Sequence, residues 1–266
     1  MKKRRWNDRL RPVEERTFSR RGIYLLPNLF TTAALFAGFY AIVAAINGTF
    51  ELAAVSIFVA MVLYGMDGRI ARLTNTQSEF GAEYDSLSDI VSFGLAPALV
   101  AYEWLLFELG KVGWLAAFVY TACAALRLAR FNTQAKSEDN RFFQGLPSPA
   151  AAAVLAGVVW LGNTYELRES TISLSLLLMV TFAVAALMVS NVRYNSFKDL
   201  DLRGRVPFMT VLLIVLGFVL VSLEPASVLC LLFVGYAISG PVVTLMQIRQ
   251  RRQERRSQQK NSRDAA

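Results

Sequence analysis

Apolar residues in this chain gather into eight long blocks, separated by short segments that hold most of the charged and turn-forming residues. A helix needs roughly 20 predominantly apolar residues to cross the hydrocarbon core of a bilayer, which is about the length of these blocks. The pattern therefore predicts an all-α integral membrane protein built as a bundle of about eight transmembrane helices. The predicted spans are 27–47, 51–73, 84–107, 112–133, 148–164, 171–190, 207–223 and 225–246.

The two ends of the chain differ in composition from the apolar middle. Residues 1–24 form a basic N-terminal arm, residues 25–247 the membrane domain, and residues 248–266 a basic tail. Basic segments next to membrane spans are attracted to anionic membrane lipid, so we expect the arm and the tail to lie at the membrane surface. The tryptophans near span ends, Trp104, Trp114 and Trp160, are expected to anchor helices at the membrane interface.

The distribution of positive charge predicts how the chain crosses the membrane. A net charge of +8 could indicate nucleic acid, but the basic residues lie at the ends of apolar blocks and not over a soluble face. With the N-terminus inside, 26 of the 28 Lys and Arg residues are cytoplasmic, and only Lys111 and Arg168 are on the opposite side. The positive-inside rule thus predicts a multi-pass membrane protein with both termini cytoplasmic. We expect it to reside in the bacterial inner membrane and to have no nucleic-acid partner.

Three aspartates lie where two predicted spans meet on the cytoplasmic side. Asp67 is near the end of the second span, while Asp85 and Asp89 are four residues apart at the start of the third and share one helix face. Two antiparallel helices joined by a short loop would bring the three carboxylates together. Such a group stays ionised only when a cation neutralises it, and the chain has no histidine, so the expected cofactor is an oxygen-bound divalent metal, Mg²⁺ or Mn²⁺.

Residues around the aspartates suit a phosphate ligand. Gly68 and Gly81 leave room for phosphate to approach the backbone, and the guanidinium of Arg72 matches phosphate oxygens. The alternative interpretation is a helical hairpin held at the interface by ion pairs between arginines and acidic side chains. We prefer it for Glu79 and Glu83, but not for the three aspartates, because burying carboxylates at a membrane is costly without a function.

The spacing of these residues matches a known family. Asp67-Gly68-x-x-Ala71-Arg72, eight residues, then Gly81-x-x-x-Asp85-x-x-x-Asp89 resembles the signature of the CDP-alcohol phosphatidyltransferases. These integral membrane enzymes exchange the CMP of a CDP-alcohol for another alcohol. The resemblance implies that Asp67 and Asp85 hold divalent metal on the pyrophosphate, and that Asp89 contacts metal and acts as the catalytic base. It also implies that Gly68, Ala71, Arg72 and Gly81 bind the CDP-lipid.

One position departs from the family pattern. The pattern begins with a further aspartate three residues before Asp67, where this chain has Tyr64. A neutral phenol with a pKa near 10 is a poor replacement for a metal-binding carboxylate. We therefore expect weakened metal binding and impaired activity, and we expect Tyr64→Asp to raise both.

Four flanking stretches resemble the phosphatidylserine-forming members of the family: LPNLFTT, SFGLAPA, RLARFN with FQGLPSPAAA, and VSNVRYNSFK. They imply that CDP-diacylglycerol and L-serine are converted to phosphatidylserine and CMP. Binding the serine carboxylate calls for a cation, and the cytoplasmic-side candidates are Arg127, Arg130 and Arg193. Positive-inside anchoring explains the same arginines. Asn28 and Thr31 are placed to reach the nucleotide, and capping the first span is an equal alternative for either.

Other functions are also compatible with the sequence. An acceptor such as glycerol phosphate or inositol phosphate would require a denser basic pocket near the aspartates. A catalytically dead CDP-lipid-binding protein would fit Tyr64. A transporter is less favoured, because its carboxylates would be expected at mid-span. The sequence is compatible with a homodimer but carries no signal for oligomeric state.

Overall fold

The computed structural model describes residues 13–74, 78–134, 142–195 and 208–264, and these are almost entirely helical. The α-helices are α1 Val13–Ile46, α2 Phe50–Thr74, α3 Glu79–Asp89, α4 Ala96–Trp104, α5 Lys111–Gln134, α6 Ser148–Thr164, α7 Thr171–Val189, α8 Phe208–Leu223 and α9 Pro225–Asp264. A π-helical segment, Ile90–Leu95, joins α3 to α4, and short 3₁₀ turns cover Leu106–Leu109 and Leu167–Glu169. The predicted all-α membrane class is confirmed.

Five stretches of the described helices are long and apolar enough to cross a membrane. They are Asn28–Ile46, Phe50–Ile70, Lys111–Thr133, Thr171–Val189 and Pro225–Met246. Two shorter apolar helices, Ser148–Thr164 and Met209–Leu223, match the predicted fifth and seventh spans. The predicted third span corresponds to α3, the π segment and α4 taken together. The chain is therefore a multi-pass membrane protein.

The first and last helices extend beyond their apolar parts. α1 begins at Val13 and continues through Pro27, whereas its apolar part, Asn28–Ile46, agrees with the predicted span 27–47. Asn28 and Thr31 lie inside α1, which excludes the alternative that either caps its N-terminus. At the other end, α9 runs on to Asp264 through the basic tail. The apolar pattern marks the part of a helix that lipid can cover, and not where the helix ends.

Small residues allow α1 and α2 to pack closely. The turn between them has Gly48 at a φ of 73°, and the amide of Thr49 donates to Ala44 O at 2.9 Å. Ala41 and Ala44 on α1 and Ala53 on α2 are all buried in the core that the two helices share. Close approach of backbones through small side chains is the usual way in which membrane helices associate. This antiparallel pair supports one side of the aspartate region.

The π segment that follows Asp89 is fixed by its neighbours. Its wider turn frees backbone carbonyl groups from the regular helical pattern. The Tyr120 hydroxyl donates to Phe93 O at 3.1 Å and the Thr121 hydroxyl donates to Gly94 O at 3.3 Å, both from α5. On the other side, the Ser92 hydroxyl donates to Ala34 O of α1 at 3.1 Å. Both Ser92 and Phe93 are buried, so the segment is held from two directions.

Gly38 is the point at which α1 contacts this π segment, and replacing it by Ala is expected to destabilise the fold. A Cβ at residue 38 would lie 2.5 Å from Ser92 Oγ and 2.6 Å from Ser92 Cα. Overpacking of this kind costs about 1–3 kcal/mol, so the midpoint of thermal unfolding in detergent should fall by several degrees. Gly235→Ala on α9 is the matched control, because a Cβ there meets nothing within 4 Å. Equal midpoints for the two variants would contradict the tight contact.

A two-stranded ribbon links the start of α6 to the end of α7. β1 Phe142–Gln144 pairs antiparallel with β2 Arg193–Asn195, with Phe143 opposite Tyr194. The Tyr194 hydroxyl donates to Ala237 O of α9 at 2.9 Å, and burial followed by the nearby Tyr236 raises the pKa of Tyr194 to about 12. The amide of Leu146 donates to Leu187 O at 3.0 Å. These bonds join the segment before α6 to the end of α7 and, through β2, to α9.

Two of the three tryptophans are not where the sequence predicts them. Trp104 and Trp160 are 1% and 7% exposed and belong to the packed core, so their predicted role as interfacial anchors is wrong. A Cβ at Gly162 would collide with the Trp104 ring, so the indole is closely enclosed. Trp114 is exposed. Proximity to a span end does not reveal which face of the helix carries the side chain.

Candidate active site

Asp67 lies near the C-terminal end of α2 and is buried against α1. Only 7% of the residue is exposed. The Thr31 hydroxyl, on the facing side of α1, donates a hydrogen bond to Asp67 Oδ2. Thr31 was predicted from the sequence as a candidate nucleotide contact, and the structure places it directly beside the first aspartate of the motif. Gly68, the next residue along α2, is exposed at the same level of the helix.

The start of α3 is fixed by a cap at Ser78. The Ser78 side chain accepts a hydrogen bond from the amide of Gly81 at 3.0 Å, which satisfies one of the unpaired donors of the first turn. A Cβ at Gly81 would lie 3.4 Å from Asn28 Oδ1 of α1. Asn28 and Gly81, both expected to bind the CDP-lipid, are therefore neighbours across the α1–α3 contact.

Further bonds fix α3 against the helices around it. The Ser88 hydroxyl donates to Thr31 O at 3.2 Å, and the hydroxyls of Thr32 and Tyr84 share a hydrogen bond of 2.9 Å. From α5, Asn132 Nδ2 donates to Ser86 Oγ at 2.9 Å. The helix that carries Asp85 and Asp89 is thus held by α1 on one side and α5 on the other.

The three aspartates of the motif share one region of the protein. Asp89 is 6% exposed, Asp85 is partly buried, and both lie on one face of α3. The charges of Asp67 and Asp85 both act on Asp89, and the charge of Asp67 also acts on Asp85. Glu79 and Glu83 are exposed and lie outside this group. The arrangement concentrates negative charge in a buried place, which is costly unless a cation offsets it.

These carboxylates do not surround a single point in the structure. Within the described ranges, no group of three or more His, Cys, Asp or Glu side chains is arranged to hold a metal ion. Asp67 instead accepts a hydrogen bond from the Thr31 hydroxyl. The donors nevertheless suit a hard divalent cation, because they are carboxylate and hydroxyl oxygens, and the carboxylate charges repel one another when no cation is present. Asp67 on α2 and Asp85 and Asp89 on α3 are the residues that would hold such a cation.

Tyr64 lies one helical turn before Asp67 and points into the site. Its hydroxyl lies near the Asp89 carboxylate. Its ring contacts Phe93 of the π segment edge to face, with ring centroids 5.4 Å apart and planes inclined at 71°. The sequence predicted that residue 64 shares the face of Asp67, but it did not reveal that the phenol lies near Asp89.

Arg127 lies on α5 and supplies positive charge to the site. It is 8% exposed, and its guanidinium Nη1 donates to Ser148 Oγ at the start of α6 at 2.8 Å. Asp89 and Tyr64 both lie within its electrostatic range. Its Nε is buried and has no hydrogen-bond partner among the described residues. Because buried donors are normally paired, the unpaired nitrogen makes Arg127 a candidate for binding an anionic ligand.

The other predicted arginines have different environments. Arg130 Nη1 donates to Val189 O at 3.2 Å and Nη2 to Asn191 Oδ1 at 3.0 Å, so it ties α5 to the end of α7. Arg193 is in β2, opposite Gln144, and its side chain lies outside what the structure describes. Ala71 and Arg72 continue α2 after Gly68, and their side chains also lie outside the described part.

Ser148 is a residue of the site that the sequence reasoning missed. It lies in the stretch FQGLPSPAAA, which carried a resemblance but no assigned role. Its burial, at 4% exposed, and its bond to Arg127 make it part of the Arg127 environment. The available signal was a polar residue between two prolines at the entry to an alanine-rich helix.

Sequence similarity to known proteins covers the whole of this site. The family model described as CDP-alcohol phosphatidyltransferase matches residues 24–181, which include all three aspartates and Arg127. The chain belongs to the CDP-alcohol phosphatidyltransferase family. The resemblance found in the motif is thereby confirmed, and the family is one of transferases.

Relatives within the CDP-alcohol phosphatidyltransferase family match most of the chain. The CDP-diacylglycerol–serine O-phosphatidyltransferase of Helicobacter pylori strain 26695 is 39% identical over 217 residues, which is 81% of this chain and 90% of that protein. The protein of the same name from Methanocaldococcus jannaschii is 32% identical over 222 residues, 83% of this chain and 96% of that protein. The one from Bacillus subtilis strain 168 is 34% identical over 173 residues, 65% and 91% respectively.

Proposed function

We propose that this chain is a CDP-diacylglycerol–serine O-phosphatidyltransferase, which converts CDP-diacylglycerol and L-serine to phosphatidylserine and CMP. The observation that carries the proposal is the buried meeting of the motif aspartates with Arg127, whose Nε has no described partner. Serine needs two groups in the site. One is a carboxylate that accepts the proton of its hydroxyl, and the other is a guanidinium that binds its own carboxylate. Relatives from bacteria and an archaeon carry this name, which supports serine over glycerol phosphate or inositol phosphate.

Asp67, Asp85 and Asp89 are the residues that would hold the divalent metal, Mg²⁺ or Mn²⁺. Their oxygens are the ligands that such hard cations prefer, and their mutual repulsion favours binding a cation. When bound, the metal supplies positive charge that offsets the pyrophosphate and the departing CMP. The CDP-lipid contacts come from Asn28, Thr31, Gly68, Ala71, Arg72 and Gly81 along α1, α2 and the start of α3.

Asp89 performs the proton transfer. The serine hydroxyl gives its proton to the Asp89 carboxylate, and the hydroxyl oxygen forms a bond to the phosphorus that carries diacylglycerol. The bond from this phosphorus to the bridging pyrophosphate oxygen breaks, and that oxygen leaves on CMP. Asp89 is on α3, while Arg127 holds the serine carboxylate from α5. The base and the acceptor are thus positioned by different helices.

An apolar groove between α1 and α2 suits the acyl chains of the lipid substrate. Its volume is about 590 Å³, and it is lined chiefly by apolar side chains, among them Leu29 and Phe36 of α1 and Val59 of α2. Thr32 also lines the groove, and its hydroxyl bonds to Tyr84 of α3, one turn before Ser88. The groove therefore begins beside the aspartates and extends along the membrane-spanning parts of both helices.

The test is CMP release by the purified enzyme in detergent with CDP-diacylglycerol and Mn²⁺ or Mg²⁺. Serine should support release, whereas glycerol phosphate and inositol phosphate should support little or none. CMP release with a phosphorylated acceptor but not with serine would show that serine is not the acceptor. Binding of CDP-diacylglycerol without release for any acceptor would favour a catalytically dead lipid-binding protein.

The site and both termini are expected to face the cytoplasm. Arg168 stacks on Phe50 at 5.2 Å and on Phe107 at 5.8 Å, so the turns before α2, before α5 and before α7 lie at one end of the bundle. Reporter fusions at Gly110 and Glu166, both in turns with positive φ, should report the opposite side from a fusion at the C-terminus. A C-terminus on the other side from the N-terminus would contradict eight spans.

A further inference from the structure

Pro241 interrupts the backbone hydrogen bonding of α9 within its membrane-spanning part, Pro225–Met246. Proline has no N–H, so the carbonyl four residues earlier, Ala237 O, lacks the donor that a regular α-helix would supply. A carbonyl without a donor is costly in a membrane, and neighbouring elements normally supply one. Here the donor is Tyr194 of β2, whose hydroxyl bonds to Ala237 O at 2.9 Å. Tyr194 therefore completes the backbone hydrogen bonding of α9.

The surface of α9 around this carbonyl has room for the Tyr194 ring because residue 240 is glycine. A Cβ at Gly240 would collide with the ring. The Tyr236 ring, one turn earlier on α9, contacts the Tyr194 ring with centroids 5.5 Å apart and planes inclined at 42°. Only 1% of Tyr194 is exposed, so the side chain is enclosed. The place where it lies is called the α9 notch below, and it is formed by Tyr236, Ala237, Gly240 and Pro241.

Tyr194 is also joined, through the two-stranded ribbon, to the start of α6. It pairs with Phe143 of β1. After β1 the chain turns at Gly145, which has a φ of 81°, and a Cβ there would collide with the backbone of α7. Ser148 follows at the start of α6, and its Oγ accepts a hydrogen bond from Arg127 Nη1 at 2.8 Å. The α9 notch is thus connected to Arg127 by the ribbon and by the turn that follows it.

We propose that Tyr194 is a positioning residue for serine binding. Its bond to Ala237 O anchors the ribbon to α9, and the ribbon in turn fixes Ser148, which holds the guanidinium of Arg127. This role rests on the proposed function, which assigns the serine carboxylate to Arg127. It makes the serine KM depend on a hydroxyl that is bonded to α9 and not to the acceptor.

The test compares Tyr194→Phe with the unmodified full-length enzyme in detergent. The change keeps a ring in the α9 notch and removes only the donor to Ala237 O. Loss of one hydrogen bond of ordinary strength should raise the serine KM by roughly 2- to 12-fold, while kcat and the KM for CDP-diacylglycerol stay the same. Tyr165→Phe is the control, because it removes the hydroxyl of an exposed tyrosine at the end of α6. Its serine KM should not change.

A second variant separates positioning from stability. Adding Pro241→Ala to Tyr194→Phe supplies an N–H for Ala237 O within α9 itself. The midpoint of thermal unfolding, which Tyr194→Phe should lower, should then recover. The serine KM should stay raised, because the ribbon still lacks its bond to α9. Recovery of both quantities together would show that Tyr194 acts only through stability, and it would overturn the positioning role.

The remaining results distinguish the role of Tyr194 from the proposed function. Normal serine-dependent CMP release with an unchanged serine KM in Tyr194→Phe would overturn the positioning role alone. A lower kcat at an unchanged serine KM would do the same, since it indicates a loss of folded enzyme. No serine-dependent release by the unmodified enzyme would overturn the proposed function, and the role of Tyr194 in serine binding with it.

Discussion

Replacing Asp89 by Asn is expected to lower serine-dependent CMP release by ~10²–10⁴-fold, the usual contribution of general acid–base catalysis. The change removes the group that accepts the serine proton while keeping the shape of the side chain. The bonds that hold α3 in place, from Ser88 to Thr31 O and from Asn132 to Ser86, do not involve residue 89, so the helix should keep its position. Binding of CDP-diacylglycerol should therefore remain largely intact.

The measurement pairs CMP release with equilibrium binding of CDP-diacylglycerol to the same preparation. Glu83→Gln is the matched control, because it removes an exposed carboxylate from the same helix. That variant should keep normal release. Near-normal turnover by Asp89→Asn would remove Asp89 as the base, and parallel losses of release and lipid binding would indicate a role in binding instead.

The membrane architecture was the part of the structure most open to prediction. Apolar blocks predicted where helices lie, because a segment surrounded by lipid must satisfy its backbone hydrogen bonds internally. Eight blocks correspond to eight helical segments, although α1 starts at Val13 and not at residue 27. Helix ends that leave the apolar region are set by local polar contacts, which a pattern of hydrophobicity does not report.

The π-helical backbone after Asp89 could not be predicted from the sequence, for a different reason. The π segment Ile90–Leu95 follows Asp89 without any Gly or Pro at its start, and Gly94 and Pro97 in and after it do not by themselves predict a π turn. Its stability depends on hydroxyl groups of α5 that donate to its carbonyls, Tyr120 and Thr121. Each donor is 27 positions from its acceptor in the chain, so only the folded structure brings the donors and acceptors together.

The aspartates and the arginines differ in how well sequence could assign them. Asp85 and Asp89 were predicted together because a spacing of four is fixed by the helix itself. Arg127 and Arg130 were equally good candidates, because both lie near the same end of one span. Tertiary packing separates them: Arg130 is paired with Val189 and Asn191, whereas Arg127 lies buried near Asp89, and its Nε has no partner among the described residues.

Arg127→Ala is expected to raise the KM for serine far more than the KM for CDP-diacylglycerol. Hydrogen bonds to charged groups contribute about 1.5–3 kcal/mol, which corresponds to roughly 10- to 150-fold in the serine KM. Arg127→Lys should recover only part of the loss, since an ammonium keeps the charge but not the planar fork. Arg130→Ala is the matched control on the same helix, and its serine KM should change little.

Ethanolamine separates carboxylate recognition from a structural role of Arg127, because it is serine without the carboxylate. The unmodified enzyme should prefer serine over ethanolamine, and Arg127→Ala should narrow that preference by about the same factor as it raises the serine KM. A mere loss of packing at Ser148 would slow both acceptors equally and leave the preference unchanged. If the preference persists in Arg127→Ala but collapses in Arg193→Ala, the serine carboxylate is bound from β2 and not from α5.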